Sequence, residues 1–286
     1  MPHGRVTSNA DEPSAPGAAG ARGMTQTARS LGELAAAIER QGDRFVLHGA
    51  AGWMQGRTMY GGASSFVAFT AARAAFPDLP PLRAAQIGFV APVGEDVEIA
   101  ARVLRAGKSV AQVETEISAN GELLQRALWI FGSARPDNGG VPQRRLESFV
   151  PHDQAVPARS HPDPTFFTHR MELRHAAPKG EVPVGTIRRW VRLKDRAGLD
   201  PVGELIGIGD TLPPGAMTAQ ERMGPLSSIN WSLTLLTDKP ETDDGWWLLE
   251  TSSNAMAAGF SSETLRLWNT DGVQVMHGLQ SVAIFG

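Results

Sequence analysis

The chain of 286 residues states one structural plan twice. An apolar helical run leads into strands of period two, and an Asn-Gly or Asp-Gly pair stands before the last strand. Those pairs place Gly121 and Gly272 151 residues apart. In the first copy, Gly61 to Ala75 holds no acid and a single charge, Arg73, with apolar residues all round it, as in a buried helix. Pro77, Pro80 and Pro81 close it. A helix over Leu31 to Arg40 and a strand over Arg44 to His48 precede it. From Gln86 the period is two: Val97 to Arg105 is a strand, Gly107-Lys108 a turn, and Val113, Thr115 and Ile117 alternate with Gln112, Glu114 and Glu116. Asn120-Gly121 is a strong hairpin signal, and Glu122 to Phe131 returns as a strand.

In the second copy, strands over Phe166 to His175 and Thr186 to Leu193 come first. Asp200 is a good N-cap and Pro201 suits the first helical position, so a helix is predicted over Val202 to Asp210, stopped by Pro213-Pro214. Strands follow at Ser228 to Thr237, Trp246 to Asn254, Phe260 to Trp268 and Val273 to Phe285, with Asp271-Gly272 as a hairpin turn. A long antiparallel sheet wrapped round one apolar helix is the hotdog fold. The expected class is therefore α+β, a double hotdog of two tandem repeats sharing one sheet. Residues 30–135 form the first repeat, 136–164 a linker rich in Pro, Asp, Arg and Gly, and 165–286 the second. Residues 1–29 hold almost no large apolar side chains and are expected to be disordered, with Met24 an alternative start.

Several function classes drop out. A net charge of −3 without a basic run argues against nucleic acid. The absence of cysteine removes disulfides, zinc-thiolate sites and a thiol nucleophile. No apolar run reaches the ~18 residues of a membrane span, and no charged-then-apolar leader opens the sequence, so a cytoplasmic protein is expected. Gly107-Lys108-Ser109 lacks the upstream glycine of a phosphate loop, Gly207-Ile208-Gly209 ends a helix, and no Gly-x-Ser-x-Gly elbow occurs. His152, His161, His169 and His175, spaced by 9, 8 and 6, fit no metal-ligand pattern; neither metal nor cofactor is expected.

The two copies differ in a telling way. The second helix ends on Asp210, an acid among Ile206, Ile208 and Leu212 that is expensive to bury unpartnered. Ser228 opens the next strand, where the first copy has Leu82 to Ala84. Aligning Gly121 with Gly272 sets Gln280 opposite Trp129. An acid, a hydroxyl and an amide thus stand where the first copy is apolar.

With its Gly56-Arg-Thr-Met-Tyr-Gly-Gly62 and Gln86-Ile-Gly-Phe-Val-Ala-Pro92 in the first half, and Trp190-Val-Arg-Leu-Lys194, Ser228-Ile-Asn-Trp-Ser232 and Leu265-Arg-Leu-Trp268 in the second, the chain resembles the type II acyl-CoA thioesterases and their thioesterase-like relatives over about residues 31 to 286. The resemblance implies a double hotdog that hydrolyses acyl-CoA to free acid and CoA. It implies Asp210, Ser228 and Gln280 as the catalytic set, jointly holding one water. Well-known members carry threonine where this chain has Ser228. The oxyanion partner is expected to be a backbone amide at the first helix's N-terminus, with Gly62 as the candidate. Members often associate further, so a homo-oligomer is admitted. Two readings compete: a binding protein of the same fold that holds an acyl chain or similar ligand without hydrolysis, and a hotdog dehydratase or hydratase. The latter needs a histidine on a core helix, which neither helix supplies.

Overall fold

The computed structural model describes residues 28–178 and 180–285. The tail expected to be disordered, Met24 included, lies outside the described residues apart from its last two positions. The first half comprises α1 (Leu31–Ala36), β1 (Glu39–Gln41), β2 (Arg44–Leu47), β3 (Met54–Gln55), β4 (Thr58–Met59), α2 (Gly61–Ala75), β5 (Leu82–Phe89), β6 (Val97–Ala106), β7 (Val110–Ala119) and β8 (Glu122–Gly132). The second comprises β9 (Met171–His175), β10 (Thr186–Leu193), α3 (Pro201–Ile208), β11 (Leu226–Leu235), β12 (Trp247–Ala257), β13 (Phe260–Trp268) and β14 (Gln274–Ile284).

Twelve of the strands form one antiparallel sheet in the order β1-β2-β6-β7-β8-β5-β11-β14-β13-β12-β10-β9. Read from either end, the order is the same series of equivalent strands, so the two halves are related by a pseudo-twofold axis at the β5–β11 seam. There Trp231 pairs with Ile87 and Leu233 with Ala85. This is the double hotdog, with α2 and α3 packed together inside the curled sheet. Glycines let the helices approach closely: a Cβ at Gly62 would lie 2.7 Å from the carbonyl of Gly207. The core runs unbroken across the seam, from Phe69, Trp129 and Phe131 to Trp231, Leu265 and Met276.

The repeat extends to irregularities. β5 bulges against β8 between Leu82 and Ala84, and β11 bulges against β14 between Ser228 and Asn230. β6 bulges between Val103 and Arg105, β12 between Ser253 and Ala255. Bulges re-aim side chains, so matched bulges place matched residues on matched faces.

Three expectations need correction. The first helix ends at Ala36, because Glu39–Gln41 leaves it to form a hairpin with β2 around Gly42, whose φ is +65°. The strand expected from Phe166 opens instead as a 3₁₀ turn, Phe167–Arg170, whose Phe167 stacks on Tyr60 at 4.0 Å between ring centroids. Asn120-Gly121 is a tight turn with both φ positive, but Asp271-Gly272 sits in a longer loop closed by Asn269, whose side chain accepts from the amides of Asp271 and Val273. The tight turn of the second half is Ala258-Gly259, between β12 and β13. Residues 136–164 do more than connect: Leu146, Phe149, Val150 and Ala155 cover the sheet's outer face, packing on Trp190, Trp246 and Trp268.

Candidate active site

Asp200 caps α3, its Oδ1 accepting from the amides of Val202 and Gly203 at 3.0 Å, and Ile206 and Ile208 bury the helix's apolar side. The helix stops two residues short of Asp210. At its C-cap, Gly209 admits no side chain: a Cβ would meet Met276, the Leu205 carbonyl and Trp231 at 2.7–2.8 Å. That close approach delivers Asp210 to the inner face of the sheet. Thr211 fixes the turn, its hydroxyl donating to the carbonyl of Ile208 at 2.6 Å while lying 3.1 Å from the Tyr60 hydroxyl.

Gln280, on β14, is 5% exposed, and its Nε2 donates to Oδ1 of Asp210 at 2.5 Å. Oδ2 faces Gly61, the first residue of α2, where an added Cβ would lie 2.4 Å from it and 3.0 Å from Phe89. Among the described residues Oδ2 has no hydrogen-bond partner. The carboxylate thus spans the two halves, one oxygen held by the second and the other turned to the helix N-terminus of the first. First-turn amides of a helix lack intrahelical partners and carry partial positive charge. Burial raises the Asp210 pKa to about 7, with the Gln280 hydrogen bond pulling the other way. Burial, and then the nearby Asp210 charge, raise the Tyr60 hydroxyl well above its ordinary range, keeping it a neutral donor.

Ser228 pairs with Val282, which is buried, and so shares the inner face with Gln280, itself paired with Trp231. The bulge makes this so. With Ile229 and Asn230 both turned outward, Ser228 comes back into phase with Trp231. Asn230 Oδ1 accepts from the amide of Ser281 beside the bulge at 2.8 Å. The structure therefore places Asp210 and Gln280 in contact and Ser228 on the same face, without a direct hydrogen bond to either among the described residues. Gly62 lies one residue further along α2, packed against the Tyr60 ring and Gly207.

The sequence reading missed three participants. Gly61, beside Gly62, is the glycine that touches the acid. Glu263, fully buried on β13 and paired with Gln280, accepts from the amides of Gly215 and Ala216 and from the Ser261 hydroxyl, anchoring the segment just after Asp210. Its phase was legible, since Leu265 and Leu267 point the same way. Gln125, 1% exposed, contacts the Ser64 hydroxyl at 2.5 Å, and that hydroxyl lies 3.1 Å from the Gly61 carbonyl. The Ser64 hydroxyl donates to Gln125 Oε1, so this contact ties β8 to the first turn of α2.

In the first half the equivalent positions are sealed. The register that pairs Gln280 with Trp231 pairs Trp129 with Ala85, and Leu82 holds the place of Ser228 opposite Phe131. Trp129 is fully buried and donates to Thr115 at 2.8 Å. Among the described residues no group of His, Asp and Glu is arranged to hold a metal, and no helix is long and apolar enough to cross a membrane. His152 and His161 stack on Trp246 and Phe166, and Gly107 to Ser109 form the β6–β7 turn.

Residues 50–132 match the family model of the acyl-CoA thioesterase N-terminal domain, and residues 147–284 that of the C-terminal domain. No curated protein matches. Among solved structures, a candidate thioesterase of Novosphingobium aromaticivorans is 26% identical, with a TM-score of 0.75 over 87% of this chain and 99% of that one. A hot dog protein of unknown function from Alicyclobacillus acidocaldarius is 20% identical, with a TM-score of 0.80 over 90% and 99%. An acyl-CoA thioesterase II from Mycobacterium marinum is 16% identical, with a TM-score of 0.71 over 89% and 97%; these last two likenesses concern the fold.

Proposed function

Because the chain belongs to the acyl-CoA thioesterase family, we propose that it hydrolyses acyl-CoA to the free acid and CoA, with Asp210 activating the attacking water. The observation that carries this reading is the shared carboxylate: Gln280 holds Oδ1, leaving Oδ2 free beside the N-terminus of α2. A general base works best when its pKa lies near the working pH, and Asp210 is pushed up to about 7.

Water held between Asp210 Oδ2, Ser228 and Gln280 attacks the thioester carbonyl carbon, and its proton passes to Oδ2. The carbonyl oxygen becomes an oxyanion facing the first-turn amides of α2, Gly62 among them, where donors and dipole favour negative charge. Collapse breaks the carbon–sulfur bond, and the CoA thiolate recovers the proton from Asp210. No covalent intermediate is required, which accords with a chain without cysteine. Cytoplasmic location and further self-association belong to the same proposal.

Purified protein assayed for CoA release across a series of acyl-CoA chain lengths tests this. Asp210→Asn should lower turnover by at least ~10²-fold with the fold intact by circular dichroism. A wild-type rate in that variant would remove Asp210 from the chemistry.

A further inference from the structure

The two central helices carry different kinds of residue at the N-cap. Asp200 stands before α3, and its carboxylate occupies the amides of Val202 and Gly203. Tyr60 stands before α2 and makes no side-chain capping bond. Its phenol is too long and stiff to fold back onto the first turn, so the cap leaves the leading amides of α2 unengaged by its side chain. The ring turns into the core instead, 1% exposed and stacked on Phe167 of the second half at 4.0 Å between centroids.

The hydroxyl ends beside the C-terminus of α3, where the hydrogen bonds have a fixed direction. Thr211 gives its one hydroxyl proton to the Ile208 carbonyl at 2.6 Å rather than to the Met171 sulfur at 3.3 Å, so across 3.1 Å the Tyr60 hydroxyl donates to Thr211. The Tyr60 oxygen in turn accepts from the backbone amide of Asp210. One chain therefore runs from Asp210 through Tyr60 and Thr211 to Ile208, and it closes the turn that carries the acid. Gly62 makes room for the hydroxyl, since a Cβ there would run into it. Tyr60 thus touches both sides of the site. Its carbonyl accepts the first helical bond of α2 from Ser64 at 3.0 Å, its neighbour Gly61 faces Oδ2, and its hydroxyl holds the backbone of Asp210. We propose that Tyr60 is a positioning residue which, granted Asp210 as the base of thioester hydrolysis, sets the gap between the carboxylate and the α2 amides where the thioester carbonyl must lie.

CoA release by the full-length chain and its variants tests this. Tyr60→Phe keeps the ring and removes the hydroxyl; it should lower kcat by about tenfold, part of the ~10²-fold that a 1 Å misplacement costs, with KM little changed. Thr211→Val breaks the same chain from the second half, and the double variant should lose no more than the worse single. Thr115→Val orphans the buried Trp129 N–H in the sealed half and serves as the control for stability: it should lower the melting temperature at the wild-type kcat. A readout independent of turnover comes from Tyr60 being the one tyrosine of the chain. Labelled with fluorotyrosine, the protein gives a single fluorine resonance. That resonance should shift with a midpoint of about 7 as Asp210 ionises, since Asp210 is the one charge that acts on the hydroxyl among the described residues, and Asp210→Asn should abolish the step. A wild-type kcat in Tyr60→Phe, an equal loss in Thr115→Val, losses that multiply in the double variant, or a resonance indifferent to pH in the parent would overturn the proposal. If the parent turns over no acyl-CoA while its resonance still titrates and Asp210→Asn removes the step, the thioesterase reading fails and the hold of Tyr60 on Asp210 stands.

Discussion

A methyl group added at Gly61 would sit 2.4 Å from Oδ2 of Asp210, so Gly61→Ala must displace the carboxylate. The same methyl would lie 3.0 Å from the Phe89 ring, and Gly61 opens the helix rather than standing inside it, so no gain in helix propensity is expected. Activity and stability should still part company: turnover is expected to fall by ~10²-fold, the scale of a 1 Å misplacement, with only a small fall in melting temperature. Asp210 carries a second divergence. Its pKa in the folded protein, about 7, exceeds the unfolded value of 3.8, so the native state binds the extra proton between those values. Ionisation then costs stability as pH rises from about 4 to 7, and the cost is constant above. Asp210→Asn should be more stable than the parent at pH 8, with the gap closing toward pH 4, as melting curves at several pH values will report. Over the same range the wild-type kcat/KM should climb with pH and level off near 7, because the working form is the carboxylate.

At the scale of elements, the strands and helices were largely legible, and the exceptions have physical causes. Period-two reading sets Ser228 with Asn230 and Ser232, on the outer face. Only the bulge, which nothing in Ser-Ile-Asn-Trp announces, turns it inward. The match of Gln280 with Trp129 was legible from the spacing of Gly121 and Gly272, and that of Ser228 with Leu82 to Ala84 from the strand starts; the matched bulges single out Leu82. The Gly61 contact was not, since it joins elements about 150 residues apart. Nor was the role of Gln125, which reaches α2 through Ser64. Removing that support should loosen the N-terminus of α2: Gln125→Leu is expected to lower kcat more than it raises KM, with Gln125→Asn restoring part of the loss. Equal effects on both, tracking a fall in melting temperature, would mark Gln125 as packing only.

For the whole molecule, the seam between β5 and β11 and the unbroken core make one cooperative body of two repeats. The three candidate catalytic side chains all lie in the second half, yet the surface facing Oδ2 belongs to the first. Residues 136–286 produced alone should therefore be inactive, and mixing with residues 28–135 should restore turnover as the halves co-elute. Activity in the isolated second half would show that α2 is dispensable.

The sealing of one site and the equipping of the other has a consequence in inheritance. In an assembly of two identical chains every substitution is written into both copies at once, so a tryptophan that fills one cavity fills its twin. Here Trp129 and Gln280 occupy matched positions under separate codons. Burying a ring of about 200 Å² at about 25 cal/mol per Å² is worth about 5 kcal/mol, and the first half takes that packing without silencing the second. Each half can drift toward its own task, and the two stay bound by a sheet that neither can leave.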